Sequence, residues 1–207
     1  MTSYAQDERR ALAALMVELG PHAPTLCEGW EVQDLAAHLV MRERRPDAAA
    51  GIAVPPLRAY AERVRRRVRD ERPWPGNVDR FRTGPPAYLR PLDEPVNAIE
   101  FFVHHEDVRR AQPGWEPRVL GSGEEQTLWR RLGAMKALVR FRVPVGLTLV
   151  APGFGSVVVR QGEPHVVLTG APGELLLFMT GRGRAARVER AGPPDAIARL
   201  EDARLGL

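Results

Sequence analysis

The chain has one cysteine, Cys27, and one lysine, Lys136, among 207 residues. A single thiol cannot close an internal disulfide and cannot build a cysteine-based zinc site, and both points agree with a reducing compartment. No stretch approaches the roughly 18 uninterrupted apolar residues needed to cross a bilayer. The opening MTSYAQDERRALAALM has acidic residues where a secretory leader would have a basic region and then an apolar run. The expectation is a cytoplasmic protein with no membrane partner. Internal repeats and low-complexity tracts are absent as well. What is present is ordinary: 44% hydrophobic residues, enough for a real core.

The 30 basic residues are almost all arginine, a skew that matches GC-rich coding, and the net charge is +4. Because the arginines are interleaved with Asp and Glu through most of the chain, no nucleic-acid partner is expected. The densest run, RVRRRVRD at 63–70, places Val64 and Val68 on one helical stripe with Leu57, Tyr60 and Ala61. Arg63, Arg65, Arg66, Arg67 and Arg69 then read as a solvated face.

Apolar periodicity divides the chain. Leu12, Leu15, Met16 and Leu19 form a first helix closed by Gly20-Pro21, and Val32, Leu35, Ala36 and Leu39 lie on a second from about Trp30 to Arg45, ended by Pro46. A third covers about Leu57 to Arg72. Residues 73–92, rich in Pro, Gly and Arg, read as a long irregular connection of the kind that is more often functional than idle. A fourth helix starts at Asp93 as N-cap and stops before Pro113-Gly114, and Ser122 with Glu125 has capping-box spacing for a fifth. After about residue 143 the runs VGLTLVAPG, GSVVVRQG and PHVVLTG read as strands, ELLLFM as a buried helix, AARVERAG as a strand and PDAIARLEDARLG as a closing helix. Two domains follow, a helical one over 1–142 and a small α+β one over 143–207.

The segment NAIEFFVHHEDV at 97–108 holds two of the five histidines. At about 100° per residue, Glu100 and His104 share one face roughly 40° apart, with Asp107 joining one turn on. On the second helix His38 stands about 100° from the centre of the apolar stripe, in line with Asp34, Arg42 and Arg45. One imidazole from that helix with Glu100 and His104 makes a His₂Glu set, a ligation type that leaves a fourth zinc position open. Spacing alone favours a hydrogen-bonded bundle interior over a metal site. His105, about 100° around from His104, is the replacement ligand if the register differs. Cys27 reads as a small buried residue.

The segments TLCEGWEVQDLAAHLVMRERRPDAA at 25–49 and IEFFVHHEDVRRA at 99–111 resemble the metal-binding N-terminal domain of the mycothiol-dependent maleylpyruvate isomerase family of actinobacteria, within the DinB-like superfamily. LTGAPGELLLFMTGR at 168–182 is similar to the C-terminal domain of the same group. The run HLVxRERRPDA further resembles a sub-family of actinobacterial metal-binding proteins. The resemblance implies an α+β protein: a DinB-like four-helix bundle followed by a sterol-carrier-like α+β domain. It implies zinc, or another divalent metal, held by His38, Glu100 and His104. Glu31 stands where such domains often have Ser or Thr at the helix start.

Around that centre, Asp107 is expected to orient an imidazole, and Arg42, Arg45 and Arg182 to bind an acidic substrate. No residue is singled out as catalytic. Arg182 reads equally well as a partner for the last carbonyls of its own helix. The function expected from the resemblance is activation of a low-molecular-weight thiol such as mycothiol for isomerisation or conjugation of a small electrophilic substrate. The alternative is a metal-binding or ligand-binding protein without turnover, monomeric or homodimeric in either case.

Overall fold

The computed structural model describes residues 3–86 and 93–206, which form a mixed α+β protein in two compact units, 1–116 and 117–207. In the first unit the helices are α1 (Tyr4–Leu19), α2 (Val32–Arg44), α3 (Pro46–Ala53), α4 (Arg58–Asp70), α5 (Trp74–Thr83) and α6 (Asp93–Arg109). None of the described helices is long and apolar enough to cross a membrane.

Each boundary has a local cause. The α1 stripe buries Leu12 and Met16 completely and ends at Gly20, whose φ of 82° lies in the left-handed region that favours glycine. At the start of α2 the Asp34 carboxylate accepts the Glu31 backbone N–H at 3.2 Å. Pro46 stops α2, as expected, but also opens α3, because proline is well suited to a first helical turn, where its missing N–H is not needed. The capping role expected of Asp93 falls on a side chain outside the described residues.

Two expectations change here. The supposed irregular connection contains α5: Pro73 and Pro75 occupy its entry, where they are tolerated, while Val78 and Phe81 are fully buried. Asn77 Nδ2 donates to the Val68 and Arg69 carbonyls, which closes the end of α4. Residues 87–92 of the same stretch lie outside the described residues. The arginine run is also not uniformly solvated. Arg65 is buried, its guanidinium bonded to Glu62 and Asp34 and stacked 4.8 Å from the Trp30 ring. Arg69 reaches Asp34 at 3.1 Å, whereas Arg63, Arg66 and Arg67 are exposed.

α1 packs against α6 and α5, and α2 against α3, α4 and α5. Both α2 and α6 are enclosed on nearly every side: from Phe101 to Val108 each residue of α6 is buried, charged ones included. That is why NAIEFFVHHEDV shows no clean polar face.

In the second unit α7 (Ser122–Val139) precedes a four-stranded sheet of β1 (Gly146–Ala151), β2 (Gly155–Arg160), β3 (His165–Thr169) and β4 (Glu189–Ala191) in the order β2-β1-β3-β4. β1 pairs antiparallel with β2 and parallel with β3, and β3 antiparallel with β4. Leu147, Leu149, Val166 and Leu168 point into the core, where α8 (Pro172–Leu177) lies; α9 (Pro194–Glu201) closes the unit. Gly146 is required: a Cβ there would stand 1.9 Å from the Gly162 carbonyl oxygen.

The compact division falls after Glu116, not at 142, because α7 packs on α8 and β2. Its start also shifts by one residue. Gly121 is the N-cap, with its N–H donating to Glu124 Oε2 at 2.7 Å, and Glu125 instead accepts the Gly173 N–H at 3.2 Å.

Candidate metal centre

α2 supplies His38 and α6 supplies Glu100, His104 and Asp107. The segment before α2 supplies Cys27 and Trp30. That segment is held in place by its own polar groups: Thr25 Oγ1 donates to the Trp30 carbonyl at 2.9 Å and accepts the Cys27 N–H at 3.1 Å, while the Leu26 N–H donates to the Asp107 carbonyl at 3.0 Å.

The donor atoms converge. His38 Nε2 lies 3.4 Å and His104 Nε2 3.2 Å from the same oxygen, Glu100 Oε1, and all three ligand atoms fall within 4.8 Å of one another. Ligands at about 2.0–2.1 Å around a tetrahedral zinc stand roughly 3.3–3.4 Å apart, so these separations fit a set around one divalent ion. On its other nitrogen His104 faces Asp107 Oδ2 at 2.9 Å. A proton held at Nδ1 by that carboxylate leaves Nε2 as the coordinating nitrogen. His38 and His104 meet edge-on at 5.4 Å, and the His38 ring leans on Trp30 at 5.1 Å.

Charge is distributed unevenly in this cluster. Burial pushes His38 below the usual imidazole range, helped by the charges of His104 and Arg42, so its ring is neutral. His104 goes the other way. Burial opposes its protonation, but the contacts with Asp107, Cys27 and Glu100 outweigh burial and hold its pKa well above the usual value. Burial would raise Glu100, yet His104, His38 and Arg42 hold it well below the usual carboxylate range. Without an ion the centre is thus a carboxylate, an imidazolium and a neutral imidazole.

Cys27 Sγ donates to Asp107 Oδ2 at 3.2 Å and stands 3.9 Å from His104 Nδ1. Cys27, His104 and Asp107 form a second group of three donors, sharing His104 with the first. The two groups draw on opposite nitrogens of one ring. The first leaves the Asp107 contact in place to orient that ring, whereas the second would use it up.

The model of the mycothiol maleylpyruvate isomerase N-terminal domain matches residues 5–139, well over half of the chain. The chain belongs to this family. Among solved structures it is similar to the crystal structure of the mycothiol-dependent maleylpyruvate isomerase, with 16% identity and a TM-score of 0.55 over 92% of this chain and 96% of that one. A histidine-to-alanine mutant of that enzyme aligns with a TM-score of 0.56 at the same identity and coverage. At this identity the likeness is one of fold. No curated protein matches the chain.

The structure of this maleylpyruvate isomerase family member brings His38, Glu100, His104, Asp107 and Arg42 together. Arg42 Nε lies 3.3 Å from Glu100 Oε1, and its Nη1 donates to Asn97 Oδ1. Arg45 is not brought in, because Asp47 fills its fork at 2.9 and 2.8 Å and Tyr60 lies at 3.2 Å. Arg182 belongs to the second unit and donates to the Thr180 carbonyl at 2.6 Å, the local role considered for it. His105 points away from Glu100, to Glu8 Oε2 at 2.8 Å, which fixes the register in favour of His104. Sequence reasoning missed Trp30, Asn97 and the Cys27 contact. The i, i+3 spacing of Asn97 from Glu100 was the one available signal.

Proposed function

We propose that the chain is a metal-dependent enzyme that uses a small thiol, of the mycothiol type, to isomerise or conjugate a small acidic electrophile. Convergence of two imidazole Nε2 atoms on Glu100 Oε1 carries this reading, supported by family membership. His38, Glu100 and His104 would hold the ion, zinc fitting best by ligand type. A divalent ion held by these three residues would favour thiolate over thiol and so supply a nucleophile at neutral pH. Asp107 orients His104. Arg42, paired with Glu100 and braced by Asn97, places a guanidinium beside the ligand set, where a substrate carboxylate would be a further partner for it. Arg45 has no part in this reading, since Asp47 already occupies it. A role for Arg182 in holding a substrate carboxylate is a separate element of the proposal.

Adding a small thiol to the zinc-loaded protein should place one sulfur in the zinc shell by X-ray absorption. An unchanged oxygen and nitrogen shell at saturating thiol would remove the thiol mechanism and favour a ligand-binding protein or a hydrolase.

Metal uptake should also depend on pH in a defined direction. His38 is already neutral and Glu100 already ionised, so the proton an entering ion displaces is the one on His104. Affinity should therefore rise with pH up to the raised pKa of His104 and release about one proton per ion near neutrality. Without metal the sign reverses for stability: protonated His104 stabilises the fold fully below the ordinary histidine pKa, and that contribution fades as pH rises through its raised value. Calorimetric titration in buffers of different ionisation enthalpy measures the proton count.

A further inference from the structure

A metal-binding imidazole is normally held through its second nitrogen, as Asp107 holds His104. His38 is steadied differently, by the Trp30 ring, tilted 50° to it with centroids 5.1 Å apart. The Trp30 ring in turn carries the guanidinium of Arg65 at 4.8 Å, a contact that orients the indole through its ring quadrupole. Arg65 is 5% exposed, and its position is fixed by Glu62 at 2.9 and 2.7 Å and by Asp34 Oδ1. The other oxygen of Asp34 accepts the Glu31 N–H at the start of α2, about two turns before His38. A single guanidinium from α4 thus braces both the ring on which His38 rests and the first turn of the helix that carries it.

We propose that Arg65, acting through Trp30 and Asp34, is the positioning residue that holds the His38 imidazole in its coordinating orientation. This rests on the reading of His38, Glu100 and His104 as the metal-holding set. Planarity matters: a guanidinium can lie on the indole while its edge bonds two carboxylates, whereas an ammonium or a thioether cannot do both.

The test compares Arg65→Met, Trp30→Leu and Trp30→Phe with Val64→Ala, a buried change on the same helix that lowers stability without touching the chain of contacts. Zinc affinity is read by competition with a chromophoric chelator. Arg65→Met and Trp30→Leu should each weaken zinc by about 10–100-fold, the range for outer partners of a metal ligand. Trp30→Phe should restore most of it, and Val64→Ala should melt earlier with unchanged affinity. A second readout needs no metal: the His38 Cε1–H resonance, displaced by the Trp30 ring current, should move towards its position in Trp30→Leu when Arg65 is replaced by Met. Unchanged affinity and an unmoved His38 resonance in Arg65→Met, with only stability lost, would overturn the proposal. If the wild-type protein takes up no divalent ion, the ligand reading fails by itself. The His38 resonance then decides the positioning role, movement supporting it and constancy overturning it.

Discussion

Replacing His38, Glu100 or His104 by alanine should each abolish stoichiometric zinc binding, with affinity falling by more than the roughly 100-fold at the upper end of outer-partner effects. Each supplies one of the three converging atoms, and the second group, Cys27, His104 and Asp107, includes neither His38 nor Glu100. His105 is the nearest alternative and is committed to Glu8 Oε2 at 2.8 Å. His105→Ala should therefore retain zinc while losing stability, since it removes a hydrogen bond at 2.8 Å to a carboxylate that is 3% exposed. His22 pairs with Glu31 at the surface, and His165 sits beside Thr148 in the second unit. Alanine at either should leave metal content unchanged. Elemental analysis of protein purified without chelator, across all six variants, checks the assignment; equal metal content in all would refute it.

The candidate site was legible because it obeys helix geometry. Glu100 and His104 are one turn apart on α6, and His38 deviates from the apolar stripe of its own helix, so periodicity marked all three. The second unit was legible strand by strand, its β-branched runs being bounded by Gly and Pro. Local pattern failed where partners come from afar. Arg65 belongs by spacing to a charged face, yet Asp34, 31 residues earlier, draws it inside. α5 was hidden by prolines that occupy its first turn, where they do no harm. The α7 boundary failed for a related reason: a helix of unremarkable pattern belongs to whichever unit buries it, and pattern does not name the partner.

The same kind of hidden long-range pairing should dominate stability elsewhere in the first unit. Arg9 on α1 is buried, its guanidinium bonded to Glu43 Oε1 of α2 and, at 2.9 Å, to the Phe81 carbonyl of α5. It also lies 4.5 Å from the Phe101 ring of α6, so one cation ties four helices together. Removing one partner of a buried pair strands the other in a poorly solvating interior, so Glu43→Ala should cost about 3–5 kcal/mol in urea denaturation of the metal-free protein. Glu43→Gln keeps an acceptor and should cost less. The double replacement Arg9→Met with Glu43→Leu should recover much of the loss, because neither charge then has to be desolvated. Glu43 follows His38 by five positions, roughly 140° around α2. Zinc affinity of the folded Glu43→Ala protein should therefore match wild type, in contrast to Arg65→Met. A fall in affinity that tracks the loss of stability in both variants would mean that the centre responds to global loosening and has no dedicated brace.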